Sequence, residues 1–310
     1  MLAEADCNNQ TKKIQKNRHM KFQFAVLCCL ALFVTGCAVK PYNYHENLDT
    51  GHTLRLRGNE PQIERGRYIP VMDETAHYLI GVPTKLLFFD WEVNNHHVSR
   101  HTEQILDQYL AKNGLHNVKV RLNQYAPGDE WRRLFKNSAM PGFFRYTVGI
   151  VTATVYTIFP GRFFAGLVGG DSYNPYTNTI SLYSDNPTIA LHEAAHAKDF
   201  ALKNRHFRGW YALMRVLPLV PLWQEAKATG DAIGYTDAEG MTVTRKESYE
   251  TLYPAYSTYI TGEGLRWIPI DPWLSYSIQF AATLPAHLVG RIKAANVEKT
   301  SGSTASCGDR

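Results

Sequence analysis

Two histidines and one glutamate lie together near the middle of the chain, in the run His192-Glu193-Ala194-Ala195-His196. Side chains four positions apart share one face of an α-helix, so both imidazoles can bind one metal ion at about 2.0–2.1 Å. Glu193 stands beside the first imidazole, where a carboxylate can take a proton from a water whose pKa a metal lowers. The pattern therefore indicates a metal-binding helix that activates water.

The neighbouring sequence predicts the elements that must position this run. Asp185-Asn186-Pro187 combines an Asx N-cap with proline at the first helical position, which predicts a helix over residues 187–203. Ile189, Ala190 and Leu191 are apolar, which favours burial of this helix. Directly before it, residues 177–183 are typical of a strand, because apolar and polar side chains alternate.

A later helical stretch offers a further carboxylate. Residues 222–234 are rich in alanine and carry Glu225 and Ala228 in an E-x-x-A pattern. The motif at 192–196 followed by this pattern resembles the gluzincin clan of zinc metallopeptidases. The resemblance implies Zn²⁺ as cofactor, held by the two histidines and Glu225, with Glu193 as the catalytic base.

The same resemblance implies a fold and a substrate. The expected fold class is α+β and zincin-like, with a small sheet, an active-site helix and a following ligand helix. The strand at 177–183 is expected at the sheet edge, where it would bind an extended peptide or protein substrate in an antiparallel manner. The expected reaction is hydrolysis of a peptide bond.

One position departs from the family pattern, because Thr229 stands where these peptidases have aspartate. Thr229, Asp199 and Asp231 are the candidates for the polar group that orients a ligand histidine. For the third metal ligand, His206 and Asp231 remain alternatives to a glutamate. A metzincin is excluded, because Leu202 occupies the position of its third histidine.

The N-terminus resembles a secretion signal. Lys21 precedes the apolar run 22–33, and the following Val34-Thr35-Gly36-Cys37 resembles a bacterial lipobox in which Cys37 is lipidated. Acyl chains on Cys37 would anchor the chain to a membrane. Ala38, rather than aspartate, at the next position implies the outer membrane of a bacterial cell envelope, with the protein facing the periplasm.

The sequence divides into four parts, which are an N-terminal extension with signal peptide at 1–37, a polar tether at 38–70, the zincin-like domain at 71–298 and a disordered tail at 299–310. Hydrophobic periodicity predicts further elements inside the domain. They are a helix at 97–113 ended by Gly114, a half-buried alternating strand at 118–122, a short helix at 129–136, β-structure at 146–160 and a turn at 171–176.

Two apolar segments are shorter than a membrane span or interrupted by proline and charge. Residues 210–223 are expected in the core or on a surface that rests on lipid, and residues 273–292 are expected to form a C-terminal core helix. Two alternatives to a peptidase follow from the sequence. The first is a lipid-anchored binding or assembly factor with little turnover, and the weaker second is a multi-pass membrane protein.

Charge and cysteine placement exclude other classes of protein. The chain of 310 residues has a formal net charge of +5, of which residues 1–36 carry +3, so the remainder is only weakly basic. No stripe of lysine and arginine interleaved with aromatic residues is present, so nucleic acid is not an expected partner. The five cysteines form no C-x-x-C pair, which excludes zinc-finger and thioredoxin-like sites.

Overall fold

A computed structural model describes residues 42–45, 55–167 and 170–306, with side chains to Val297. One layer of the fold is a mixed sheet of four strands in the order β1-β2-β4-β3. The strands β1, β2 and β4 are parallel, and β3 pairs antiparallel with β4. The strands are β1 (Ile63–Arg65), β2 (Lys119–Leu122), β3 (Ser172–Asn174) and β4 (Thr179–Leu182).

Helices make up most of the remaining described chain, so the α+β class is observed. The α-helices are α1 (Pro70–Thr75), α2 (Val82–Phe88), α3 (Arg100–Lys112), α4 (Pro127–Lys136), α5 (Gly142–Phe144), α6 (Ile150–Ile158), α7 (Gly161–Phe164), α8 (Pro187–Ala201), α9 (Arg205–Leu213), α10 (Val220–Ala238), α11 (Thr242–Leu265) and α12 (Pro272–Ser306). The helix α8 packs against the sheet and against α3, α10 and α11.

Several elements are confirmed because their signals are local. The helix α3 begins after Ser99, whose hydroxyl accepts from the Thr102 amide, and the chain turns away at Gly114 with φ of 62°. The helices α4 and α10 cover the segments predicted at 129–136 and 222–234, and α8 covers 187–201 of the segment predicted at 187–203. These sites carry an N-cap, a proline at the helix start or a glycine at the end, which fix the boundary within a few residues.

The predictions for the sheet were partly wrong. The strand β4 is interior, between β2 and β3, so residues 177–183 are not an edge. The edge is β3, which lies inside the segment 171–176 for which a turn was expected. The strand β2 does not alternate, because Lys119 and Arg121 are also buried and lie 2.9 Å from the carboxylates of Glu64 and Glu130, respectively.

The β-structure expected at 146–160 was also wrong. A π-helical turn at Arg145–Gly149 leads into α6. Hydroxyls of Thr152 and Thr157 donate to the carbonyls of Gly149 and Ala153, at 2.9 and 2.7 Å, and so bond within the helix. The preference of β-branched residues for strands is weak and depends on tertiary context, and this segment has no strand partner among the described residues.

The segment expected to be a tether takes part in the fold. Residues 63–65 form β1, and Tyr42 packs against Tyr235 of α10 with ring centroids 5.4 Å apart. The lipidation site expected at Cys37, with all of 1–37, lies outside the described residues. At the other end, α12 continues to Ser306, into the segment for which a disordered tail was expected.

The two apolar segments form surface helices that bury only part of their area. In α12, Ala286 and Ala294 are buried, whereas Trp273 and Leu288 are 78% and 62% exposed, so this helix is not enclosed in the core. In the segment 210–223, Trp210 and other large apolar side chains are exposed. Within the described ranges, none of the helices has the length and apolar character needed to cross a membrane.

The hairpin of α11 and α12 depends on one glycine. A Cβ atom at Gly290 would lie 2.5 Å from the Tyr249 carbonyl oxygen, so Gly290→Ala must push the two helices apart. We expect a loss of about 1–3 kcal/mol in the free energy of unfolding, measured by chemical denaturation. The matched control is Gly262→Ala in α11, where nothing lies within 4 Å of a new Cβ, and a gain of about 0.5–1 kcal/mol is expected. Equal effects of the two substitutions would contradict this packing.

A buried histidine should make stability depend on pH. His96 is 2% exposed, its Nδ1 lies 3.1 Å from the Asn123 side-chain oxygen, and burial lowers its pKa to about 4. The unfolded chain takes up this proton near pH 6.5, whereas the folded chain resists it. Stability should therefore fall as pH drops from about 7 to 4, by about 3 kcal/mol in total.

The test compares the pH dependence of urea unfolding in the wild type and in His96→Asn. Asparagine tolerates the left-handed φ of 57° at this position and carries no titrating group. The difference in unfolding free energy between the two proteins should change with pH over this window. Parallel stability curves would contradict the expectation.

Candidate metal centre

The helix α8 holds its polar side chains in a fully packed setting. Its N-cap is Asn186, whose side-chain oxygen accepts from the amides of Thr188 and Ile189 at 2.9 and 3.2 Å. Nearly every residue of the helix is buried, and His192, Glu193 and His196 are each only 7% exposed. Buried polar side chains are costly without polar partners, so the histidines and the glutamate of this helix must contact other polar groups in the interior.

That point is a triangle formed by α8 and α10. The Nε2 atoms of His192 and His196 lie 3.1 Å apart, and Oε2 of Glu225 lies 3.0 and 3.2 Å from them, respectively. The two imidazole rings are perpendicular, with centroids 4.7 Å apart. These three residues form a group whose ligand atoms converge closely enough to hold one metal ion.

The triangle fits a divalent ion better than it fits hydrogen bonds alone. Ligands at about 2.0–2.1 Å from one tetrahedral zinc stand roughly 3.3 Å apart, close to the three observed separations. A proton on an imidazole nitrogen points at one partner only, so protons cannot satisfy all three edges of the triangle. Two histidines and one carboxylate are also a donor set used by catalytic zinc sites.

Glu225 is anchored from its other oxygen. The guanidinium of Arg215 lies 2.6 Å from Oε1, which leaves Oε2 for the histidines. Burial by itself raises the pKa of Glu225, but His196 and His192 outweigh burial and hold the pKa well below its usual range. The carboxylate is therefore ionised, as a metal ligand must be.

Glu193 follows His192 on α8 and interacts with both the triangle and the edge strand. Burial raises its pKa to about 7, and the charges of Glu225 and Asp171 act in the same direction. His192 and a hydrogen bond from the Tyr173 backbone amide oppose this rise. Because Tyr173 belongs to β3, the carboxyl group of Glu193 faces the edge strand.

The other residues predicted for the site fall into two groups. Thr229 lies beside the triangle, with its hydroxyl 3.5 Å from Nδ1 of His192. The remaining three lie apart from the triangle. Asp199 is bound by Lys203 and Lys227, Asp231 pairs with Lys198, and His206 lies near the exposed start of α9.

Two residues near the triangle were not predicted. Arg215 is the only charged residue in the apolar segment 210–223. A single charge in an apolar segment was the feature of the sequence that could have marked this residue as functional. Tyr259 lies near Glu225, and the charge of Glu225 raises the pKa of its phenol well above the usual value. The sequence 249–259 contains four tyrosines, any one of which suits the role of an oxyanion donor, and nothing local distinguishes Tyr259 from the others.

No family model matches the chain, and no curated protein or solved structure matches it significantly. The function is therefore argued from the geometry of the metal centre.

Proposed function

We propose that the protein is a zinc-dependent peptidase whose metal is held by His192, His196 and Glu225. The observation that carries the proposal is the triangle of donor atoms, with a buried carboxylate, Glu193, beside it. Zinc bound there would supply a Lewis acid that polarises a carbonyl and lowers the pKa of water. The same donors, with a carboxylate base next to them, are typical of hydrolytic zinc sites.

Three side chains of the protein supply the proton transfer, the positioning of a ligand and the stabilisation of negative charge. Glu193, raised in pKa by burial, takes a proton from the attacking water and passes it to the leaving amine. Arg215 positions Glu225 through its oxygen Oε1. The phenol of Tyr259 stays protonated beside Glu225. With Glu225 bound to a metal, this phenol would be free to donate a hydrogen bond to an oxygen that becomes negative during attack.

The edge strand β3 is the element best suited to an extended peptide or protein substrate. Its inner side pairs with β4, and its Tyr173 amide points toward Glu193. A substrate that lies along this edge would gain backbone hydrogen bonds without strong demands on its sequence. This assigns to β3 the role that the sequence assigned to residues 177–183.

Tyr259→Phe tests the oxyanion role. Removal of one hydroxyl donor is expected to lower kcat by about 10²–10³, with KM nearly unchanged, because the bond strengthens only as negative charge develops. Steady-state peptidase kinetics provide the measurement, and zinc content should stay at the wild-type level. The control is Tyr276→Phe. It removes a hydroxyl that donates to the Pro83 carbonyl and contacts none of the three metal-binding residues. A rise in KM alone would assign Tyr259 to substrate binding instead.

The activity itself is testable with the full chain loaded with Zn²⁺. Incubation with a library of denatured proteins, followed by mass spectrometry of new termini, should yield cleavage that a zinc chelator abolishes and added zinc restores. Cleavage that persists in the chelator would contradict a zinc peptidase. Zinc binding without any cleavage would favour a binding or assembly factor, a reading that Thr229 at the orienting position supports.

We also propose that Cys37 carries the lipid that anchors the protein to the outer membrane of a bacterial envelope, facing the periplasm. The support is the Val34-Thr35-Gly36-Cys37 run after a positively flanked apolar segment. Metabolic labelling with palmitate should mark the wild type and fail in Cys37→Ala, with Cys29→Ala as the matched control. Labelling of both variants would contradict this anchor.

A further inference from the structure

A second concave surface lies apart from the metal centre. Its walls are the segment 68–78, which includes α1, and the loop 91–97. The space between them is about 570 Å³, enough for a small organic molecule. None of the zinc-binding residues borders it. We call this surface the acidic groove.

The acidic groove carries negative charge that the described residues balance only in part. Asp73 is neutralised, because Arg162 binds both of its oxygens at 3.0 and 2.8 Å. Glu74 receives only the Tyr68 hydroxyl, and Glu92 receives the Asn95 amide at 2.6 Å. Neither glutamate forms an ion pair within the described chain, and no lysine or arginine is among the described residues that border the groove. The charge of Lys85 nevertheless acts on Glu92.

Aromatic faces complete the lining. Tyr68, Tyr78 and Trp91 border the groove and leave 45%, 66% and 60% of their surfaces exposed. The Lys85 ammonium already lies 5.6 Å from the centre of the Trp91 ring, so a ligand would meet the exposed remainder of that side chain. An aromatic face attracts a cation through its quadrupole, and exposed carboxylates strengthen that attraction. Two carboxylates without an ion pair, next to several aromatic rings, therefore favour an organic cation over an anion or an apolar ligand.

The loop that carries Trp91 and Glu92 is rigidly held, so the groove exists before a ligand arrives. The carbonyl of Trp91 accepts from the buried ammonium of Lys85 at 2.8 Å, and the carbonyl of Glu92 accepts from the Asp185 amide at 2.9 Å. The amide of Asn94 donates to the Ser184 hydroxyl at 2.8 Å. A preformed site loses little entropy on binding.

We propose that the acidic groove binds an organic ammonium ion, with Tyr68, Tyr78 and Trp91 facing the cation and Glu74 and Glu92 balancing its charge. The ammonium could belong to a lysine side chain or to a quaternary headgroup, which share this chemistry. Because the aromatic faces are partly exposed, affinity in the millimolar range is expected.

The test is a titration of the full ¹⁵N-labelled chain followed through the Trp91 indole N–H signal, assigned as the signal missing in Trp91→Phe. One arm uses tetramethylammonium chloride, and the other uses Nα-acetyl-lysine methylamide. Saturable shifts in either arm support the proposal, and the tighter arm identifies the source of the ammonium. No shift, or a shift that sodium chloride of equal ionic strength reproduces, would overturn it.

Matched variants locate the binding site. The double variant Glu74→Gln with Glu92→Gln, read at the same indole, should weaken binding about fivefold or more. Trp91→Ala, read by calorimetry, should do the same. The controls Asp107→Asn on α3 and Trp267→Ala on α11's C-terminal side remove an exposed carboxylate and an exposed indole elsewhere and should leave affinity unchanged. Equal affinity in the groove variants and the controls would overturn the proposal.

Discussion

Replacement of Glu193 by glutamine should remove cleavage and leave the metal in place. The amide is nearly isosteric with the carboxylic acid, but it cannot accept a proton from water. General-base catalysis contributes about 10²–10⁴ to the rate, so kcat/KM should fall by about that factor. Neither oxygen of Glu193 belongs to the donor triangle, so the zinc content should remain at the wild-type level.

The measurement pairs peptide-cleavage kinetics with metal analysis of the same preparation. The control is Glu250→Gln, which changes an exposed carboxylate of α11 and should alter neither quantity. If the Glu193 variant lost its zinc as well, its inactivity would report on metal binding, and the assigned proton transfer would lack support. If it kept full activity, the base would have to be another group.

Replacement of Glu225 by alanine should strongly weaken both zinc binding and folding stability, because this residue contacts the two histidines and Arg215. Its Oε2 faces the two imidazoles, and its Oε1 faces Arg215. The substitution removes one of three ligands, so zinc affinity should fall by at least about 100-fold. It also leaves the two buried imidazoles, and the partly exposed guanidinium, without their partner, at a cost of about 1–3 kcal/mol in unfolding free energy.

A competition titration with a chromophoric chelator measures the affinity, and urea unfolding of the metal-free protein measures the stability. The control is Asp237→Asn on the same helix, where the carboxylate pairs with Arg245 near the surface. That variant should bind zinc as the wild type does, with a stability change below about 1 kcal/mol. Unchanged zinc affinity in Glu225→Ala would remove this residue from the ligand set.

The parts of the site that sequence could predict are those fixed within one helical turn. The spacing of His192 and His196 places both imidazoles on one face whatever surrounds them, and Asn186-Pro187 sets where that helix begins. Glu225 was expected only through a family resemblance. The structure brings it to the imidazoles because α10 packs along α8.

Other parts depend on contacts that a local pattern does not contain. Arg215 and Tyr259 reach Glu225 from elements 10 and 34 residues away, so no spacing rule connects them to it. The strand β3 has three residues, too few for a periodic signal, and its identity as an edge depends on pairing with β4. The segment around α6 also could not be predicted from local pattern. Its composition favours strands, but its tertiary context selects a helix.

Zinc K-edge X-ray absorption on the full chain with one equivalent of Zn²⁺ tests the central claim most directly. The account predicts one bound zinc whose shell contains two imidazole nitrogens and a carboxylate oxygen, and whose imidazole scattering disappears in a His192→Ala and His196→Ala double variant. Sulfur scattering from the cysteines, or an unchanged spectrum in the double variant, would contradict it.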